Sequence, residues 1–324
     1  MKKIMITGSL GQIGSELTKR LREDYGVENV LATDIKIEAG NPVVEDGQFE
    51  FLDVMDYEKM LRLAKEYEVD TIVHLAALLS ATAEKKPQLG WSLNMDGLMN
   101  ALEVSRELNL KMFTPSSIAA FGPSTPPDNT PQDTIQRPTT MYGVTKVAGE
   151  LLCDYYWEKF GVDTRGVRFP GLISYVTEPG GGTTDYAVDI YYEALKHKEY
   201  TSFIGEGTKM DMMYMPDAID AIVQLLEADG DKLIHRNAFN ITAMSFEPEE
   251  IAASIKKVMP EFKMDYDVDE VRQGIANSWP NSIDPTDAEK EWGFKPKYDL
   301  DRMTVDMLEK LSEKLGIPWE NPNR

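Results

Sequence analysis

Tyr142 and Lys146 stand four residues apart in the stretch MYGVTK. On a helix that spacing puts both side chains on one face, one turn apart. A tyrosine phenol ordinarily titrates near 10, too high for a base at neutral pH. A neighbouring ammonium favours the phenolate, and a cationic ring bound alongside would favour it further. The pair could then draw a proton from an alcohol. The same spacing is common in ordinary helices, where the tyrosine packs and the lysine is solvated, so its meaning rests on its neighbours. Ser117 in PSSIAAFG is one. It closes a candidate fifth strand, and in parallel sheets ligands bind beyond the carboxyl ends of the strands. A hydroxyl there could hold a substrate oxygen while its proton leaves.

A second constellation lies at the amino end. TGSLGQIGSEL places Gly8, Gly11 and Gly14 three residues apart, with Gln12 and Ile13 between the last two. The motif follows a strand-like run and opens a helix-like one, which is the setting that makes a glycine triplet a dinucleotide site. Gly8 allows a sharp turn, Gly11 a close approach to a pyrophosphate, and Gly14 tight strand–helix packing. The helix then offers free N–H groups and a partial positive charge to the phosphates. Asp34 ends the second strand candidate 20 residues beyond Gly14. A carboxylate there accepts hydrogen bonds from ribose hydroxyls and repels a 2′-phosphate, so NAD is expected over NADP, with Lys36 nearby as the counter-indication.

The elements that must position these groups alternate. Strand candidates are KKIMITG, VLATD, FEFLDV, TIVHLAA, KMFTPSS and TRGVRFPG, separated by helical stretches including DYEKMLRLAKEYEV and roughly 91–109. Such alternation predicts an α/β fold, a doubly wound parallel sheet of the Rossmann type. Pro123, Pro126, Pro127, Pro131 and Pro138 make the stretch between Gly122 and Thr140 a surface loop. After residue 172 the rhythm changes. VTEPGGGTTDYAV reads as a glycine-rich loop opening a helix. Short strands (TSFI, FNIT, KMDY) then mix with helices (PDAIDAIVQLLEA, EPEEIAASIKKVM, DLDRMTVDMLEKLSEKLG). Residues 1–172 are read as an NAD-binding domain. Residues 173–324 are read mainly as a smaller α/β substrate lobe, with segments able to return to the Rossmann sheet.

The chain's 324 residues suit such a pair of lobes. A net charge of −21 disfavours nucleic acid and anionic membranes as partners. One cysteine, Cys153, and three scattered histidines, His74, His197 and His235, exclude a disulfide framework and a thiolate metal cluster, so no metal is expected. There is no signal-like start and no apolar run near 18 residues, so the protein is expected in the cytoplasm.

The order strand, glycine turn, Ser117, proline-rich loop, Tyr142 and Lys146 resembles the extended short-chain dehydrogenase/reductase superfamily, over nearly the whole chain. The resemblance implies a Ser117–Tyr142–Lys146 triad. It further implies cofactor contacts at Asp53 and Val54, at Leu75, Ala76 and Ala77, at Asn94, at Tyr142 and Lys146, and along RFPGLI at Phe169, Pro170 and Leu172. Members include sugar-nucleotide epimerases, dehydratases and amino-acid dehydrogenases. The epimerases carry an asparagine where this chain has Pro170 after Arg168 and Phe169. FGPSTPPDNTPQDTIQRPTTMYGVTKVAGE, PGGGTTDYAV, NITAMSFEPEEIA and NSWP are similar to the short-chain family of L-threonine 3-dehydrogenases.

That similarity implies NAD-dependent oxidation of the β-hydroxyl of L-threonine to 2-amino-3-ketobutyrate, with Tyr142 as base. Gly180, Gly181 and Gly182 could offer backbone N–H groups, and Thr183 and Thr184 hydroxyls, to a small carboxylate. The same stretch also reads as a linker with Thr184 as a helix cap. Ser80 is a second candidate for the carboxylate or a turn serine, and Trp279 a pocket wall or a core residue. The alternatives are a sugar-nucleotide epimerase or dehydratase, and a non-catalytic NAD-binding sensor. GELLCDYYWEKFG is apolar enough for a homodimer contact, as in many relatives, and core packing explains it equally well.

Overall fold

The computed structural model describes residues 1–180 and 182–322. Six parallel strands form the main sheet: β1 (Ile4–Thr7), β2 (Val30–Asp34), β3 (Phe49–Phe51), β4 (Thr71–His74), β5 (Lys111–Phe113) and β6 (Thr164–Arg165), in the order β3-β2-β1-β4-β5-β6. The strand order reverses between β1 and β4, where a doubly wound sheet opens its ligand crevice. The alternation of strand and helix candidates is thus realised as a Rossmann sheet.

Side chains alternate across each strand, so each face takes its own helices. Ile4 and Ile6 pack with Leu17 and Leu21 of α1 (Gln12–Tyr25) and with Ala218 and Ile222 of the helix Met215–Glu227. Met5, Leu31, Ile72 and Met112 point the other way. They meet Met60 and Leu61 of α2 (Tyr57–Glu66), Leu98 and Leu102 of α3 (Pro87–Leu108), and Cys153 and Tyr156 of α4 (Met141–Phe160). Each buried Leu, Ile or Met among them contributes about 1.5–3 kcal/mol. The cysteine is therefore a core residue.

A second core gathers Tyr186 and Tyr191, Ile251 and Ile255, and Met303, Met307 and Leu311 from three later helices. Gly171–Ile173 joins the two regions by pairing with Met210–Tyr214, which pairs antiparallel with Met244–Phe246. Two segments beyond residue 172 return: the helix Met215–Glu227 lies on α1, and Phe239–Asn240 pairs with Val167–Phe169.

Several boundaries differ from the sequence reading. The fifth strand stops at Phe113; Pro115 has no N–H to continue the ladder, and Ser116–Ser117 pairs instead with Arg168 and Phe169 in a separate small sheet. A short helix, Ser80–Lys85, precedes α3, which starts at Pro87 rather than near 91. No described helix is long and apolar enough to cross a membrane.

His74, at the end of β4, is 3% exposed, and its Nδ1 lies 3.0 Å from Thr7 Oγ1. Burial, reinforced by the Lys146 ammonium, lowers its pKa to about 3. The unfolded chain takes up this proton near the usual 6.5. The stabilisation is therefore complete above that value and is lost as pH falls towards 3. Nitrogen NMR at pH 5 should show a neutral His74 imidazole in the folded protein; a protonated ring at that pH would contradict its burial.

Candidate active site

The turn after β1 is the tightest point of the crevice. Gly8 adopts a φ of +69°, and a Cβ there would sit 2.8 Å from the amide nitrogen of Ala76. A Cβ on Gly14 would lie 2.2 Å from the Gly8 carbonyl oxygen. The turn is thereby pressed between α1 and the backbone after β4. The first turn of α1 carries no acidic residue, and no side chain caps it. Its leading N–H groups therefore face the cleft without a competing anion, which fits a dinucleotide's phosphates. Asp34 ends β2 half-buried, with its carboxylate accepting from the amides of Leu10 (3.0 Å) and Lys36 (3.2 Å). These bonds hold the group at the end of β2, beside the chain that leads into α1, while leaving acceptor capacity for ribose hydroxyls. The residues present therefore fit NAD.

One open cleft of about 480 Å³ runs from this turn to the second lobe. Gly8, Gly11, Gln12, Ile13 and Gly14 line it, with Leu75 and Ala77. Ser117, Tyr142 and Lys146 line it too, as do Phe169, Pro170 and Leu172. Ser80, Gly182, Thr183, Thr184 and Trp279 line the far end. Asp34, Asp53, Val54, Ala76 and Asn94 do not line this cleft. Gly181 lies outside the described residues.

Those outliers have other contacts. Asp53 accepts from the Met55 amide at 3.0 Å, and the Val54 side chain is buried where a Cβ on Gly97 of α3 would meet it. Asn94 is a brace. Its Oδ1 accepts from the Leu78 amide at 2.7 Å, and its Nδ2 donates to the Leu78 carbonyl at 3.1 Å and to Thr145 Oγ1 at 3.2 Å. It ties the segment after β4 to the helix turn between Tyr142 and Lys146.

Lys146 Nζ donates to the Pro115 carbonyl at 2.6 Å and lies 5.2 Å from the centre of the Tyr142 ring. The ammonium is thus anchored beside the phenol it would polarise. Ser117 Oγ accepts from the Ala119 amide at 3.2 Å, which fixes the oxygen and leaves its hydroxyl proton to donate. The start of α4 is set by Thr140, whose Oγ1 accepts from the Gly143 amide at 3.1 Å. Gly143 is a residue that sequence reasoning passed over. A Cβ there would stand 2.3 Å from the Ala119 carbonyl oxygen, so glycine lets the Tyr142 turn close on the Ser117 segment. Its adjacency to Tyr142 was visible; the partner backbone was not.

At the far end the Gly182 amide donates to Asp185 Oδ2 at 2.7 Å, so it is not the accessible donor expected from sequence. The helix begins as a 3-10 turn at Thr183–Asp185, and Thr184 makes no capping bond; its methyl group faces Gly171. Trp279 both lines the cleft and packs on Ile118, Phe121 and Ile283. His235 lies elsewhere, against Glu291 and near Asp287 and Asp133. Burial opposes its charge, but these carboxylates outweigh that and hold its pKa above the usual range.

Fold and crevice together define a dinucleotide-binding enzyme class. The sequence pattern of the NAD dependent epimerase/dehydratase family matches residues 4–242, and the chain belongs to that family. A Staphylococcus aureus (strain MRSA252) protein, named only as an uncharacterized epimerase/dehydratase, is 63% identical over 321 residues, covering 99% of this chain and 100% of its own. The solved L-threonine dehydrogenase of Clostridium difficile is 70% identical with a TM-score of 0.97, covering 98% of this chain and 99% of that one. A solved monomeric L-threonine 3-dehydrogenase from a metagenome is 43% identical, with a TM-score of 0.91 and coverage of 96% and 99%.

Replacing Gly143 by alanine should push α4 away from Ser117 and lower kcat by about 10- to 100-fold while NAD still binds. Steady-state kinetics with a cofactor titration checks this. An unchanged kcat would mean that the close approach has no part in turnover.

Proposed function

We propose that the chain is an NAD-dependent dehydrogenase that oxidises the β-hydroxyl of L-threonine to 2-amino-3-ketobutyrate. The observation that carries the reading is the shared cleft: the glycine turn, the Tyr142–Lys146 face and the Thr183–Thr184 pair all open onto it. Two solved relatives that are L-threonine dehydrogenases support the choice of substrate.

NAD, when bound along the glycine turn, supplies the hydride acceptor. The chain's own residues do the rest. Tyr142 takes the proton of the β-hydroxyl. Lys146, fixed on the Pro115 carbonyl, favours the phenolate that this requires. Ser117 donates its hydroxyl proton to the same substrate oxygen. Thr183 and Thr184, with Ser80 lining the same cleft, receive the carboxylate, and Trp279 adds to the wall. Leu75, Ala77, Phe169, Pro170 and Leu172 give the reacting end an apolar bed, and Asp34 selects the unphosphorylated ribose. Positioning supplies most of the rate enhancement, because the redox chemistry belongs to the cofactor.

Trp91 of α3 and Leu151 and Tyr155 of α4 stand exposed, which supports a homodimer through those two helices, although one solved relative is described as monomeric. Residence in the cytoplasm belongs to the same proposal.

Purified protein with NAD should form NADH from L-threonine well above D-threonine, L-serine and UDP-glucose. Tyr142→Phe should lower kcat by about 10² to 10⁴ with NAD binding intact. Silence with L-threonine in protein that binds NAD would overturn the substrate, and full activity of Tyr142→Phe would overturn the base. Asp34→Ala should shift preference from NAD towards NADP by about tenfold, the worth of one hydrogen bond to a charged group. An unchanged ratio of kcat/KM for the two cofactors would show that another group reads the ribose.

A further inference from the structure

Glu150 lies one helical turn beyond Lys146 on α4, with its side chain 5% exposed. Each of its partners donates to it. Ser116 Oγ donates to Oε1, and Gln136 Nε2 to Oε2 at 2.6 Å. Arg168 clamps both oxygens, with Nε to Oε1 at 3.0 Å and Nη2 to Oε2 at 2.9 Å. The remaining nitrogen of Arg168 is spent on the Gln132 carbonyl (2.7 Å) and Asn240 Oδ1 (3.1 Å). Four donors converge on one buried group, so only an acceptor with no proton of its own satisfies them all. An amide at this position would turn its NH₂ towards two of them.

The partners belong to three separate segments, two of which reach the cleft. Ser116 immediately precedes Ser117. Gln136 lies on the proline-rich stretch that leads into α4. Arg168 immediately precedes Phe169 and Pro170. Glu150 itself belongs to the helix that carries Tyr142 and Lys146, and it shares with Lys146 and His74 the lining of a small pocket of about 30 Å³.

We propose that Glu150 is a positioning residue: its buried carboxylate, joined to Ser116, Gln136 and Arg168, holds Ser117 and the Phe169–Pro170 wall in register with Tyr142 and Lys146. The inference rests on the dehydrogenase reading given above. It predicts that loosening the hub slows turnover without weakening the cofactor, because the glycine turn and Asp34 are held by other contacts.

Ser116→Ala tests this most gently, since it cuts one link and leaves the ion pair. Its kcat with L-threonine should fall roughly tenfold, with the Kd for NADH within about threefold of wild type and Tm within about 2 °C. Glu150→Gln should lower both kcat and Tm. Adding Arg168→Gln to it removes the stranded cation and should restore Tm without restoring kcat. A purely structural brace predicts that kcat and Tm recover together, and that result would overturn the proposal. So would a wild-type kcat in Ser116→Ala. The wild-type assay separates the two claims: no NADH from wild-type protein overturns the dehydrogenase reading and this inference with it.

Discussion

The close approach of two backbone segments at the carboxyl ends of β1 and β4 governs the rest of this molecule. Any side chain at Gly8 would collide with the Ala76 amide, and any at Gly14 with the Gly8 carbonyl. With both positions bare, α1 can start against the sheet with its N–H groups towards the crevice. The contact then propagates. Thr7 reaches His74, the segment after β4 is held by Asn94, and Asn94 also holds Thr145 between Tyr142 and Lys146. A set of bonds thus leads from the glycine turn to the helix turn that carries Tyr142 and Lys146.

The other side of the cleft is secured by charge. The Glu150–Arg168 pair is almost fully withdrawn from water. Such a pair offers little net gain over apolar packing, yet leaving one partner alone costs about 3–5 kcal/mol. Its value here lies in direction. A bidentate guanidinium–carboxylate contact allows little freedom, and its two members sit on the helix and the strand that flank the cleft. Lys146, by contrast, donates to the Pro115 carbonyl and lies beside the phenol.

Much of the fold was readable because it is written locally. The first four strands, the glycine turn and Asp34 follow from short-range periodicity and spacing, and the Tyr142–Lys146 face follows from helical geometry. Features that depend on a distant partner were not readable. Ser116–Ser117 leaves the main ladder because Pro115 breaks it, and its new neighbour is Arg168, 52 residues after Ser116. Gly143 looks ordinary until the Ala119 carbonyl is placed against it. Glu150 looks like a surface acid on a helix until four donors converge on it. Gly182 was expected to offer its amide outward, but Asp185, three residues later, takes it. The return of Met215–Glu227 onto α1 likewise needs contacts across some two hundred residues of chain, which no local pattern encodes.

The central claim is chemical: the cleft oxidises the β-carbon of L-threonine. Carbon NMR of L-threonine labelled with ¹³C at that carbon, incubated with the protein and NAD, addresses it directly. The account predicts that the labelled resonance leaves the carbinol region and appears as a ketone. A label that remains a carbinol would contradict it, and one that appears as the β-epimer would return the chain to the epimerases of its family.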